Sequence, residues 1–171
     1  AVALTNLGNI LLKAGDLAAA GRLYDESLAL HREVGNAVAV GAALCQLGEL
    51  RREQGDLAGA RGAYEEALSI QQSVGQEGRV AESLRGLAEV SLAAGDLADA
   101  RRRAESALAL RESLRERLPV AESRLVLSRI SLEEGRPDPA VSLARLAADE
   151  FGRRGAIDDQ AVAHCALARS L

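Results

Sequence analysis

Side chains able to attack, ligate or transfer protons are few in this chain, and their spacing is poor for chemistry. Two histidines, His31 and His164, and two cysteines, Cys45 and Cys165, stand among 171 residues. A metal site needs three or four His, Cys or carboxylate ligands at short regular spacings, and neither histidine has such companions. Nucleophilic catalysis needs a Ser or Cys converging with a His and an acid. His164 and Cys165 are instead sequence neighbours, whose side chains diverge on a helix. Both histidines therefore read as structural, His31 near a helix end and His164 at a place otherwise filled by a core leucine. No enzyme activity, metal or cofactor is expected. The one basic run, Arg101-Arg102-Arg103, is flanked by Asp99 and Glu105 and reads as a solvated face interlaced with acids. Nucleic-acid binding would need stacking aromatics or a broad basic stripe, and neither is present.

The elements that position these residues emerge from composition. Hydrophobic residues make up 48% of the chain but aromatics only 2%, with Tyr24, Tyr64 and Phe151 as the whole set. A core of Ala, Leu and Val favours packed helices. Twenty-one basic against 25 acidic residues give a net charge of -4, which offers no general attraction to nucleic acid or an anionic membrane. No stretch approaches the roughly 18 to 20 uninterrupted apolar residues that span a bilayer. The first six residues, Ala1 to Asn6, carry no basic targeting region. A cytoplasmic location is expected. The lack of any Met, position 1 included, points to a segment of a longer chain. Carrying basic charge on 20 Arg and the single Lys13 suggests a GC-rich bacterial genome.

Self-similarity is the strongest signal. Gly15-Asp16-Leu17 recurs as Gly55-Asp56-Leu57 and Gly95-Asp96-Leu97, then in altered form as Gly135-Arg136-Pro137, a period of 40 residues without slippage. In units starting at residues 1, 41, 81, 121 and 161, the seventh place is Leu7, Leu47, Leu87, Leu127 and Leu167. The eighth is always small: Gly8, Gly48, Ala88, Ser128 and Ala168. So are the twentieth (Ala20, Ala60, Ala100, Ala140) and the twenty-seventh (Ser27, Ala67, Ala107, Ala147). Small residues at fixed places let paired helices approach closely, with Leu filling the space between. Each unit resolves into two helices. Leu4, Leu7, Leu11 and Ala14 mark one face of the first, Gly15 ends it, and Asp16 caps the second. Gly35-Asn36, Gly75-Gln76 and Gly155-Ala156 close units. The third unit has Arg115-Glu116 there, and its next helix is expected to restart at Pro119.

With Leu4-x-x-Leu7-Gly8, Ala20-x-x-x-Tyr24 and Ser27, then Leu44-x-x-Leu47-Gly48, Ala60-x-x-x-Tyr64 and Ala67, the pattern resembles the tetratricopeptide repeat (TPR) over the full chain. Ala104 and Ala144 depart from it by replacing the aromatic. The 40-residue period, against the usual 34, resembles a lengthened variant seen in bacterial regulators and eukaryotic scaffold proteins. HEAT and armadillo repeats share the length but lack the Leu-Gly and Gly-Asp-Leu punctuation. The resemblance implies an all-α, right-handed superhelix of antiparallel helix pairs, one domain over residues 1–171, with repeats at 1–40, 41–80, 81–120 and 121–160 and a half-repeat at 161–171.

By similarity to other members, first helices line a concave groove. The candidate partner-binding residues are then Thr5, Asn9, Lys13, Cys45, Glu49, Arg52, Glu53, Glu82, Arg85, Glu89 and Arg129. Members that clamp a terminal carboxylate use a set of which only Asn9 survives, since Thr5, Gln46, Glu82 and Gly86 fill other places. Six acids (Glu49, Glu53, Glu82, Glu89, Glu122, Glu133) against four bases (Lys13, Arg52, Arg85, Arg129) favour a protein or peptide partner that is basic or of mixed charge. The alternatives are a solvated polar face, or a sensor and self-association segment of a bacterial regulator. Cys45 and Cys165, three repeats apart, stand roughly 25 to 30 Å from each other at about 8 to 10 Å per helix layer, beyond the ~7 Å limit for a bridge. Reduced thiols are expected. Residues 157 to 171 are expected to form an unpaired first helix that exposes apolar surface, so residues 161 to 171 are expected to support end-to-end association.

Overall fold

Three residues separate each helix from the next throughout residues 1–154, which the computed structural model describes. The helices are α1 (Val2–Lys13), α2 (Leu17–Glu33), α3 (Ala37–Glu53), α4 (Leu57–Ser73), α5 (Glu77–Ala93), α6 (Leu97–Ser113), α7 (Arg117–Glu133) and α8 (Pro137–Arg154). No strand occurs among the described residues. The 40-residue unit is thus two 20-residue halves with one turn geometry. In that turn the middle residue takes a positive φ, and the next amide bonds back to the carbonyl five residues earlier, as Asp16 does to Leu11 at 2.9 Å and Asn36 to His31 at 3.0 Å. This bond satisfies carbonyls that a helix end would leave orphaned. Asp16, Asn36, Asp56 and Asp96 then cap the helices after them, each accepting from the amide three residues on.

Six of the seven turns place glycine at the positive φ, where a Cβ would be penalised. The seventh places Arg115 there, at φ 59°. Because Arg115 completes the same turn, with Glu116 N bonded to Arg111 O at 3.1 Å, α7 resumes at Arg117. That corrects the expected restart at Pro119, which stands inside the first turn, where a missing N–H costs no helical bond. Residues 155–171 lie outside the described residues, and with them the expected Gly155-Ala156 closure, the half-repeat, His164, Cys165 and the association segment at 161–171.

The chain divides into two compact units, Ala1–Val90 and Ser91–Leu171. Every small residue at the eighth, twentieth and twenty-seventh places is buried among the described residues, most of them fully. In the first unit the reason is aromatic. Tyr24 from α2 lies on Gly8 of α1, where an added Cβ would stand 2.5 Å from the ring. Tyr64 from α4 is held between Gly48 of α3 and Gly86 of α5, at 2.8 and 2.5 Å by the same measure. Leu47 and Leu87 are buried as expected, each worth about 2 kcal/mol, and so is Leu127 in the second unit. Leu7 is not: it is 48% exposed, together with Ile10 and Val2, because no described helix covers that face of α1, whereas α2 covers its counterpart on α3. In the second unit Phe151 packs with Ala121, Ala147 and Ala148, and the Ser128 hydroxyl donates to Ala140 O at 2.8 Å.

Candidate functional site

Within the first unit, the last two turns of α1, the Gly15 turn, the start of α2 and the second half of α3 line a cleft of about 660 Å³. Leu12 and Leu17, both packed against the core, supply its apolar surface. Its polar groups are Asn9, Lys13, Gln46, Glu49 and Glu53. The helical period explains the grouping, since Asn9 and Lys13, like Glu49 and Glu53, are four residues apart and share one face of their helix. Asn9 is fixed from below: the buried Tyr24 hydroxyl donates to its Oδ1 at 2.7 Å, which leaves the amide NH2 to donate. Burial and the nearby Glu49 carboxylate raise the Tyr24 pKa, so this hydroxyl keeps its proton.

The cleft's acids belong to a wider charge network. Arg52 reaches Glu49 at 3.2 Å, Glu53 at 2.6 Å and Glu89 at 3.5 Å, and Arg85 holds Glu89 at 2.6 Å. Burial alone would lower the Arg52 pKa, but Glu89, Glu49 and Glu53 outweigh it and raise it. Beneath them, burial first and then Glu49 and Glu89 push the Tyr64 phenol far above its ordinary value. Glu49 and Glu53 keep nearly half of their side-chain surface open, so they can still meet a cation from outside.

Of the eleven residues expected to meet a partner, the structure brings Asn9, Lys13, Glu49 and Glu53 into the cleft, with Arg52, Arg85 and Glu89 linked to its acids. Glu82 is paired with Arg79 on α5 at 2.7 Å, and Thr5 is tied to Ser27 at 2.8 Å. Arg129 is exposed on α7, in the other unit. Cys45 requires correction: it is 3% exposed and lines no open surface. Its thiol stands 3.2 Å from Ser83 Oγ, Ser83 donates to Gln71 Oε1 at 2.7 Å, and Gln71 Nε2 donates back to Cys45 Sγ at 3.3 Å. This closed ring satisfies three buried polar groups. Burial, the largest influence, pushes the thiol pKa up. The sequence holds no sign of the ring, because Ser83 and Gln71 are distinguished only once α3, α4 and α5 are packed.

The basic run is interlaced with Asp99 and Glu105 as expected, but it is less solvated than expected. Arg102 is 73% exposed, but Arg101 and Arg103 are mostly covered. Arg101 forms a two-pronged pair with Glu134 at 2.8 and 2.5 Å, and Arg102 and Arg103 both engage Asp99. Arg101 thereby fastens α6 to the end of α7, and the run does not present a solvated face. Among the described residues no group of three or more His, Cys, Asp or Glu could hold a metal ion, and no helix is long and apolar enough to cross a membrane.

Residues 1–169 match the family model described as the MalT-like TPR region. No curated protein matches the sequence significantly. Among solved structures, BtubC (BKLC) from P. vanneervenii is 21% identical with a TM-score of 0.74, over 98% of this chain and 76% of that one. A putative kinesin light chain from Podosopora anserina, with nearly identical TPR-like repeats, is 18% identical at 0.75, over 98% and 83%. A Rap protein complexed with Competence and Sporulation Factor is 16% identical at 0.81, over 98% and 52%. At these identities the likeness is one of fold: an all-α repeat fold of the tetratricopeptide type.

Proposed function

Because this chain belongs to the MalT-like TPR family, we propose that it is the protein- or peptide-binding segment of a bacterial regulator, a binding element without catalytic chemistry. The observation that carries this reading is the cleft between α1 and α3, where apolar Leu12 and Leu17 adjoin half-open Glu49 and Glu53 and the exposed Lys13. Apolar surface with a few placed polar groups is the make-up of binding clefts. Glu49 and Glu53 keep open surface beyond their pairing with Arg52, and that surface favours a segment that brings a Lys or Arg. The Rap protein, solved with a bound factor, supports the view that such an array can hold a second molecule.

The test is a peptide array followed by titration calorimetry on the whole chain. Bound peptides should be enriched in Lys and Arg. Replacing Glu49 and Glu53 together by Ala should weaken binding by about tenfold, as expected for two exposed ion pairs. Undiminished affinity in that variant, or an array without basic preference, overturns the assignment.

A further inference from the structure

The second unit carries a different cleft, of about 320 Å³, lined by Glu112 of α6, Arg115 of the α6–α7 turn, Val120 and Arg124 of α7, and Glu150 of α8. What singles it out is the backbone of Arg115. Six turns of identical geometry use glycine, so nothing in the turn itself calls for a side chain. A non-glycine residue at φ 59° is strained relative to glycine. Arg115 is the one non-glycine residue at a positive φ among the described residues, and it also lines this cleft.

The charges of the cleft are unevenly engaged. Arg124 donates to Glu112 at 3.1 Å, and Glu150 faces Arg153 at 3.6 Å. Among the described residues no hydrogen bond or ion pair engages the Arg115 side chain. Its planar guanidinium is suited to a carboxylate, which it can bind through two parallel bonds. Val120, 7% exposed, supplies an apolar wall. Glu112 and Glu150 also line the cleft, so a ligand with more than one negative charge is disfavoured over a monoanion. The volume is at the small end of ligand pockets.

We propose that this cleft binds a small aliphatic monocarboxylate, with its carboxylate on Arg115 and its hydrocarbon part against Val120. The site is independent of the α1–α3 cleft, so either assignment can fail alone. The same chemistry is offered by a free short-chain acid and by a zwitterionic aliphatic amino acid.

The probes are isovalerate, valine, N-acetylvaline, succinate and inorganic phosphate, each titrated into the whole chain while amide resonances of the α6–α7 turn are monitored. Saturable shifts are expected with isovalerate or valine, and affinity at least tenfold weaker with succinate and phosphate. Isovalerate and N-acetylvaline binding more tightly than valine identifies the free acid as the preferred source, and the reverse order identifies the amino acid. Arg115→Gly keeps the turn and removes the guanidinium. It should lose at least tenfold in affinity while its Tm stays level or rises by up to about 4 °C, as relief of backbone strain in a chain of this size allows. Undiminished binding in Arg115→Gly, a clearly lowered Tm in that variant, equal binding of phosphate, or no saturable shift with any monocarboxylate overturns the proposal.

Discussion

In residues 1–90 the space between paired helices is filled by Tyr24 and Tyr64, each set into glycine notches, whereas in residues 91–154 the same repeat places hold Ala104 and Ala144, Phe151 packs α8 on α7, and α6 is joined to its neighbours through buried charge. Asp99, 8% exposed, accepts from Ser91 Oγ at 2.6 Å and from Arg103 Nε at 2.7 Å. Arg111, 4% exposed, donates to Pro119 O at 2.6 Å and to Ser123 Oγ at 3.2 Å. The contrast is sharpest at one repeat place, where Gln71 closes a neutral ring with Cys45 and Ser83 while Arg111 anchors a charged cluster. A tyrosine on glycine is held by dispersion and area, which are indifferent to pH. A hydrogen bond from Ser91 to the Asp99 carboxylate, or from the Arg111 guanidinium to α7, keeps its charge-assisted strength only while that group stays ionised. One repeat frame therefore supports two kinds of adhesion.

The largest test of this contrast is Tyr64→Ala. Emptying a fully enclosed aromatic site should cost about 3 to 5 kcal/mol, read as a Tm drop of roughly 10 °C, with hydrogen-exchange protection lost first in α3 to α5. A comparable loss from Ala104→Gly would erase the distinction. Next come Gly48→Ala and Gly86→Ala, which push a methyl into the Tyr64 ring and should each cost about 1 to 3 kcal/mol in urea unfolding. Indifference to both would mean that the ring is loosely held. The smallest effect concerns Asp99. Burial would raise its pKa, but the hydrogen bonds from Ser91 and Arg103 and the charges of Arg103 and Arg102 bring it down to about 2. A folded-state value below the unfolded value of about 3.9 gives stability that is complete above roughly pH 4 and is lost as pH falls through about 2. Asp99→Asn should cost about 1 to 2 kcal/mol at pH 7 and should remove that part of the acid loss from urea midpoints measured between about pH 5 and 2.

The helices and their turns were legible because the signals that set them are local. Gly15, Gly55 and Gly95 mark chain reversals by their own backbone freedom, and Asp16, Asp56 and Asp96 each cap the next helix through an amide three residues on. The small eighth, twentieth and twenty-seventh places were legible through recurrence, since close approach must repeat wherever the same helices pair. Half of the candidate site was also legible: Asn9, Lys13, Glu49 and Glu53 share helix faces that a register argument can find. Arg115 stood in plain view as the missing glycine of its turn, but only the arrival of Val120, Arg124 and Glu150 beside it gave its side chain a setting.

What the amino-acid order settled alone was the succession of 20-residue helical steps and the places where they touch, because helix period, caps and positive-φ turns each act within a few residues. Which polar side chains are consumed inside the molecule and which remain for a partner was decided by tertiary packing. Cys45 is closed off by Gln71 and Ser83, Arg101 by Glu134, and Thr5 by Ser27, each from a different helix. Whether a charge or hydroxyl is covered depends on a neighbour that the chain brings back a full helix or more later.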